Sequence, residues 1–242
     1  MTECNRTSLG FSSLFRRKIS ADFDGGRLTS DAGGLLLREV DRRIGLTKAL
    51  ADCIVDPRDP EKIVHDIQTM LAQRIGGIAL GYEDLNDHDT LRNDPVMQVL
   101  AERSPEPDTP LASPATLCRF ENRITRICLA RMSSVFVDQF IASFKRPPRE
   151  LILDFDATDD RVHGDQEGKF YHGYYDHYCY LPLYVFCGER LLCAYLRPSN
   201  IDPALHSRAI LRLLVNRLRA KWPNKPGQSP ILAHRPEMCC PI

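Results

Sequence analysis

The chain has 242 residues, of which 43% are apolar and 26% charged, with 32 basic and 32 acidic side chains giving no net formal charge. Such a balance excludes wholesale disorder, and the length allows one large domain or two small ones, each with its own core. Zero net charge argues against a surface coated in cations for DNA but leaves local segregation of charge open.

In chain order, residues 1–22 read as a lead-in, with Lys18 to Phe23 able to form a short strand before a turn at Asp24-Gly25-Gly26. Ser30 or Asp31 then caps a helix to about Arg43, ended by Gly45. The pairs Gly25-Gly26 and Gly33-Gly34 have no following GK[ST], so they fit turns and helix starts better than a phosphate cradle. Asp59-Pro60 opens a second helix, with Ile63, Ile67, Met70, Leu71, Ile75 and Ile78 as its buried stripe. Asp94-Pro95 opens a short one. Four prolines in residues 104–114 mark a linker. Ser113-Pro114 then starts one long helix to about Phe144, with Arg119, Arg123 and Arg126 on a shared face. Residues 23–146 are therefore expected to be mainly helical.

Pro147-Pro148 change the pattern. A strand from Leu151 to Asp156 is followed by a polar, glycine-containing loop to about Tyr175. Strands from Leu183 to Cys187 and Arg190 to Leu196 flank Gly188-Glu189, which suits a two-residue hairpin turn. Asp202-Pro203 opens a helix to about Trp222, its buried stripe being Leu205, Ile210, Leu213, Leu214 and Leu218. Ser229 to Ala233 could add a short strand. Residues 147–233 thus predict a mixed α/β sheet, and 234–242 an irregular tail.

No run approaches 18 apolar residues, and Met1 to Arg6 lack the apolar core of a secretory signal, so a cytoplasmic protein with no membrane partner is expected. Nine cysteines without a CxxC pair favour reduced thiols. A zinc site from His163, His172, His177, Cys179, Cys187 and Cys193 lacks paired ligand spacing, so core cysteines and loop histidines are favoured.

The residues richest in chemistry are Asp154 and Asp156. Strand parity puts both on one face, at the carboxyl end of a strand whose apolar residues suggest a central position. Carboxylates there are suited to magnesium and to metal-assisted phosphate chemistry. Tyr171, Tyr174, Tyr175, Tyr178 and Tyr180, near Lys169 and His172, could stack on bases or pack their loop onto the sheet. Arg119, Arg123 and Arg126, and the group Arg208, Arg212, Arg217, Arg219 and Lys221, could contact phosphates or form solvated helix faces.

Five segments together carry a family resemblance: residues 24–34 (DGGRLTSDAGG), 81–89 (GYEDLNDHD), 153–160 (LDFDATDD), 163–168 (HGDQEG) and 197–200 (RPSN). From about Phe23 to Leu232 the chain resembles transposases of bacterial insertion sequences with a ribonuclease-H-like DDE catalytic domain, DDE domain group 1. The resemblance implies that Asp156, in Asp156-Ala157-Thr158, is the first catalytic aspartate at the end of the first strand. It further implies that the hairpin and the helix from Asp202 are the second and third strands and first helix. Mg2+ or Mn2+ would be held by Asp156, with Asp154 a possible second ligand. The DNA partners would be the terminal inverted repeats and a target, bound by a possible homodimer, with the helical region helping to hold the element ends.

The second family aspartate and the glutamate have no counterpart around residues 233–242, so a truncated copy that is inactive alone is the expectation. Two other readings stand beside it. Asp154-Phe155-Asp156-Ala157-Thr158 also suits a haloacid-dehalogenase-like phosphatase with Asp154 as nucleophile and Asp156 as acid/base. The other is a non-catalytic remnant that binds DNA ends or inhibits an intact copy.

Overall fold

Apolar residues at helical spacing build the first of two units into which the chain divides, Met1–Met132 and Ser133–Ile242. The computed structural model describes residues 9–21, 29–105 and 109–223, and the backbone of 231–234. The turn expected at residues 24–26 and most of the tail lie outside the described residues.

The first unit opens with an antiparallel hairpin, β1 (Leu9–Leu14) and β2 (Arg17–Ala21). The short strand expected near Lys18 therefore exists, and pairs with a neighbour in the stretch read as lead-in. Helix α1 (Gly33–Ile44) ends, as expected, at Gly45 in the left-handed region (φ +65°). Its start has no side-chain cap, because the Asp31 carboxylate instead accepts the Tyr82 hydroxyl, 3.1 Å to each oxygen. Helix α2 (Leu46–Ala51) follows directly.

The second helix is shorter than its apolar spacing suggested. Asp59 caps only a 3-10 turn, Pro60–Lys62, and Ile63 is extended. Asp66 then caps α3 (Ile67–Ala79) by accepting the Thr69 N–H at 2.7 Å. Helices α4 (His88–Leu91) and α5 (Pro95–Leu100) come next, α5 capped by Asp94. The single long helix expected from Ser113 is broken into α6 (Pro114–Glu121) and α7 (Arg126–Ala142). Thr125 Oγ1 accepts the Cys128 N–H at 3.3 Å, a fresh N-cap, so Arg119, Arg123 and Arg126 share no continuous helical face.

Ala72, Leu91, Met97, Leu100, Ala101 and Leu111 form this unit's core. Residues expected to be a free linker are in fact built into it. Leu111 and Ala112 are buried, and the Gln73 side chain clasps both backbone groups of Ala112, at 2.9 Å to the carbonyl and 3.0 Å to the N–H. Gln73 Nε2 also lies 3.2 Å from Nδ1 of the fully buried His88. A Cβ on Gly77 would lie 3.0 Å from that ring, so glycine makes room for it.

Burial, and secondarily Arg74, holds His88 below its ordinary pKa of 6.5, and burial does the same for His65. Both therefore bind a proton less readily in the fold than when unfolded. Stability is therefore whole above pH 6.5 and is lost as pH falls below it, by up to about 1.4 kcal/mol per pH unit for each histidine. Urea midpoints at about pH 7 and pH 5.5 should show this drop. His88→Gln should flatten it, and an unchanged slope in that variant would exclude His88 as a source.

The second unit contains β3 (Leu151–Ala157), β4 (Asp160–Arg161), β5 (Phe170–His172), β6 (His177–Tyr180), β7 (Leu183–Cys187), β8 (Arg190–Tyr195), α8 (Ser207–Lys221) and β9 (Ile231–His234). Gly188, at φ +58°, turns β7 into β8. The main sheet runs β8-β7-β3-β9, with β7 antiparallel and β9 parallel to β3. This is the α/β arrangement expected for a ribonuclease-H-like sheet: first strand central, hairpin on one side, and the strand after the crossover helix on the other. Val137, Phe140, Leu151, Leu153, Val185, Leu192, Leu214 and Leu218 form its core, joining the second half of α7 and α8 to one sheet face.

Two expectations are corrected here. The polar loop after β3 folds into a second sheet, β4-β6-β5. Helix α8 starts at Ser207, because Asp202 accepts the Ala204 N–H at 2.6 Å in a turn, and of the expected stripe Leu205, before the helix, and Leu213, within it, are exposed.

Candidate active site

Strand parity builds the site. Along β3, Leu151 and Leu153 are buried, while Ile152 is 50% exposed, Asp154 half-buried and Asp156 exposed. The strand is thus central in pairing, as its apolar residues suggested, but buried on one face only. Asp154 and Asp156 share the other face, beside Phe186 and Tyr184, their register partners on β7. On β9 the residue level with Asp154 is His234. No hydrogen bond or ion pair to another described residue engages either carboxylate.

Immediately beyond β3 the chain enters the second sheet, and here the structure adds a pairing that spacing did not reveal. Asp159 Oδ2 lies 2.8 Å from His177 Nε2. Next to them the Tyr175 ring lies tilted against those of His172 (centroids 4.8 Å apart) and His177 (6.0 Å). Burial raises the Tyr175 pKa, and the nearby charges of Asp159 and Asp156 add to the effect. An Asp–His–Tyr cluster therefore borders the exit of β3. The antiparallel register of β4 with β6 creates it, and two-residue strands leave no periodic signal in sequence.

The candidate zinc residues do not converge. Cys179 is fully buried, and among the described residues no group of three His, Cys, Asp or Glu side chains could hold a metal. Tyr171 and Tyr178 face each other across β5 and β6, 5.7 Å apart, with Lys169 5.4 Å from the Tyr178 ring centroid. Two arginines of the candidate phosphate faces have protein partners. Arg217 forms a forked pair with Asp138 at 2.6 and 3.2 Å, and Arg123 approaches Asp56 at 3.8 Å.

The motif at residues 197–200 serves the scaffold. Arg197 is 1% exposed and donates to the carbonyls of Leu181 (2.8 Å), Leu205 (2.6 Å) and Pro203 (3.2 Å), while Ser199 donates to the Phe170 carbonyl. Burial lowers the Arg197 pKa. These bonds tie the second sheet and the turn before α8 to one another. Among the described residues, no helix is long and apolar enough to cross a membrane.

A mixed sheet of this order, with paired acids ending its central strand, fits the α/β fold expected of a DDE domain. The chain belongs to the family described as transposase DDE domain group 1, whose model matches residues 11–227. That match favours the transposase over the phosphatase reading of residues 154–158. Neither the curated proteins nor the solved structures yield a match.

Proposed function

We propose that the chain acts in transposition of an insertion sequence, cutting and joining DNA at terminal inverted repeats, with Asp156 as a ligand for Mg2+ or Mn2+. The observation that carries this is the position of Asp156: exposed at the end of the central strand, its carboxylate without a hydrogen bond or ion pair to another described residue. Hard carboxylate oxygens on a shared face fit such a cation, with Asp154 as neighbour and possible second ligand. A divalent ion held there would stabilise negative charge on the attacked phosphate and the leaving oxygen. The protein's own part is to aim Asp156 outward from the strand end, while the Asp159–His177 pair fixes the path of the chain as it leaves β3. Among the described residues no further carboxylates join Asp154 and Asp156 in a three-ligand site, so the chain alone is expected not to cut DNA. Target DNA and a second copy of the chain are the further partners in this reading, and the cytoplasm its setting.

The test is Mn2+ binding to the purified chain, followed by electron paramagnetic resonance. Asp156→Asn should weaken binding about tenfold, and Asp154→Asn less. Equal binding by wild type and Asp156→Asn would refute the assignment.

A further inference from the structure

The β1–β2 hairpin closes through the register pair Leu14↔Arg17, so Phe15 and Arg16 alone make its turn. Phe15 has φ +52°, a left-handed conformation that a bulky side chain rarely adopts. Glycine is the usual residue at a first turn position that needs a positive φ. Burial does not compensate. Leu14 is 2% exposed, whereas Phe15 is 84% exposed. Arg16, Arg17 and Lys18 follow it, all exposed, and residues 9–21 contain no acidic side chain.

The base of this hairpin is held firmly. The buried Arg38 donates to the Ser12 carbonyl at 2.9 Å, and Glu39 accepts the Ser12 N–H at 2.8 Å. Arg17 donates to Ser104 at 3.0 Å. A cleft of about 270 Å³ beside Phe15 includes Asp41, Asp66 and Glu102 in its wall, but these acids are engaged by Thr47, Thr69 and Arg38 respectively. The result is an aromatic ring on a rigid stalk, flanked by consecutive cations.

We propose that the hairpin tip is a wedge for double-stranded DNA, with Phe15 entering a base step from the minor groove while Arg16 and Lys18 contact the flanking phosphates. Apolar wedges of this kind unstack a step and kink the duplex, and the adjoining cations supply the salt-dependent attraction. The exposed cations Arg16 and Lys18, on a hairpin whose residues 9–21 include no acid, fit a polyanion, and a single ring offers too little apolar area to hold a lipid surface. The inference rests on the DNA reading above and adds to it a contact surface outside the aspartate site.

The test uses the full chain and a fluorescein-labelled random-sequence duplex, read by anisotropy, with a matched duplex carrying 2-aminopurine to report unstacking. Wild type should bind and raise the 2-aminopurine signal. Phe15→Gly removes the ring and relaxes the turn, so its thermal midpoint should be equal or higher, yet its affinity should fall about tenfold and the unstacking signal should vanish. Phe15→Trp should keep both. Arg16→Ala should keep the unstacking signal but lower the salt slope of binding by about 1. Wild-type affinity and unstacking in Phe15→Gly would overturn the wedge and leave the DNA reading standing. Failure of wild type to bind any duplex would overturn both.

Discussion

Replacing Leu153 by alanine is expected to destabilise the second unit by about 4 kcal/mol, the range for deleting three buried carbons from a packed core. Leu153 is fully buried on the central strand and packs in the cluster with Val185, Leu192, Leu214 and Leu218. Removing its side chain opens a cavity between sheet and helices that neighbours on a paired strand cannot collapse to fill. Ile152, one residue earlier, is half exposed, and Ile152→Ala should cost about 1 kcal/mol or less. The contrast tests more than packing, because parity ties Leu153 to the core only if Asp154 and Asp156 face away from it. The chain's single tryptophan, Trp222, lies 6.1 Å from Phe140 and 5.7 Å from Phe144 at the edge of this cluster, so its fluorescence reports the transition. If Ile152→Ala proved costlier than Leu153→Ala, the aspartates would point into the core, and no metal site could form there.

That Asp154 and Asp156 share a face was legible in the sequence from strand parity alone, but which face is buried was not, since Ile152 is as apolar as Leu151 and Leu153. The Gly188 turn and the Gly45 helix stop were legible for a related reason: a positive φ leaves a residue-type signature. The helix breaks were not. Apolar spacing runs on through Ile63 and Ile67, and only coordinates show that Asp66, like Thr125 further on, turns its oxygen back to cap a new helix. Prolines around residues 104–114 signalled irregular backbone correctly but said nothing of burial, which Gln73 decides from 39 residues away. At the site, Asp156 could be singled out by its place at a strand end. Its neighbours Asp159, His177 and Tyr175 could not, since strands of two to four residues carry no period and their register is set by long-range pairing. The order of the main sheet was implied by family resemblance and could not have been reached from spacing alone.

The second large effect is expected at Arg38. Its side chain is 1% exposed, with Nε 2.9 Å from Glu102 Oε1, Nη2 3.1 Å from Glu102 Oε2, and donations to the Ser12 and Ser13 carbonyls at 2.9 and 3.5 Å. Arg38→Ala leaves two backbone acceptors without their donor and removes the buried partner of Glu102. Breaking a buried ion pair costs roughly 3–5 kcal/mol. Glu102 is 35% exposed and also reaches Arg42 at 3.2 Å, so the low end, about 3 kcal/mol, applies. Arg38→Lys should rescue little, because one ammonium cannot span a carboxylate and two carbonyls as the planar guanidinium does. Urea titration followed by circular dichroism measures the loss. Amide exchange locates it, and the β1–β2 strands should lose protection first, since Arg38, with Glu39, fastens them to α1. Arg38→Met combined with Glu102→Leu should recover part of the stability if desolvated charge is the main cost, whereas an Arg38→Ala variant within about 1 kcal/mol of wild type would show that Leu14 and the Ser12–Glu39 bonds hold the hairpin without it. The distinction bears on function. A hairpin fastened by charge presents Phe15 on a stiff mount, and loosening it should weaken DNA binding even with the ring intact.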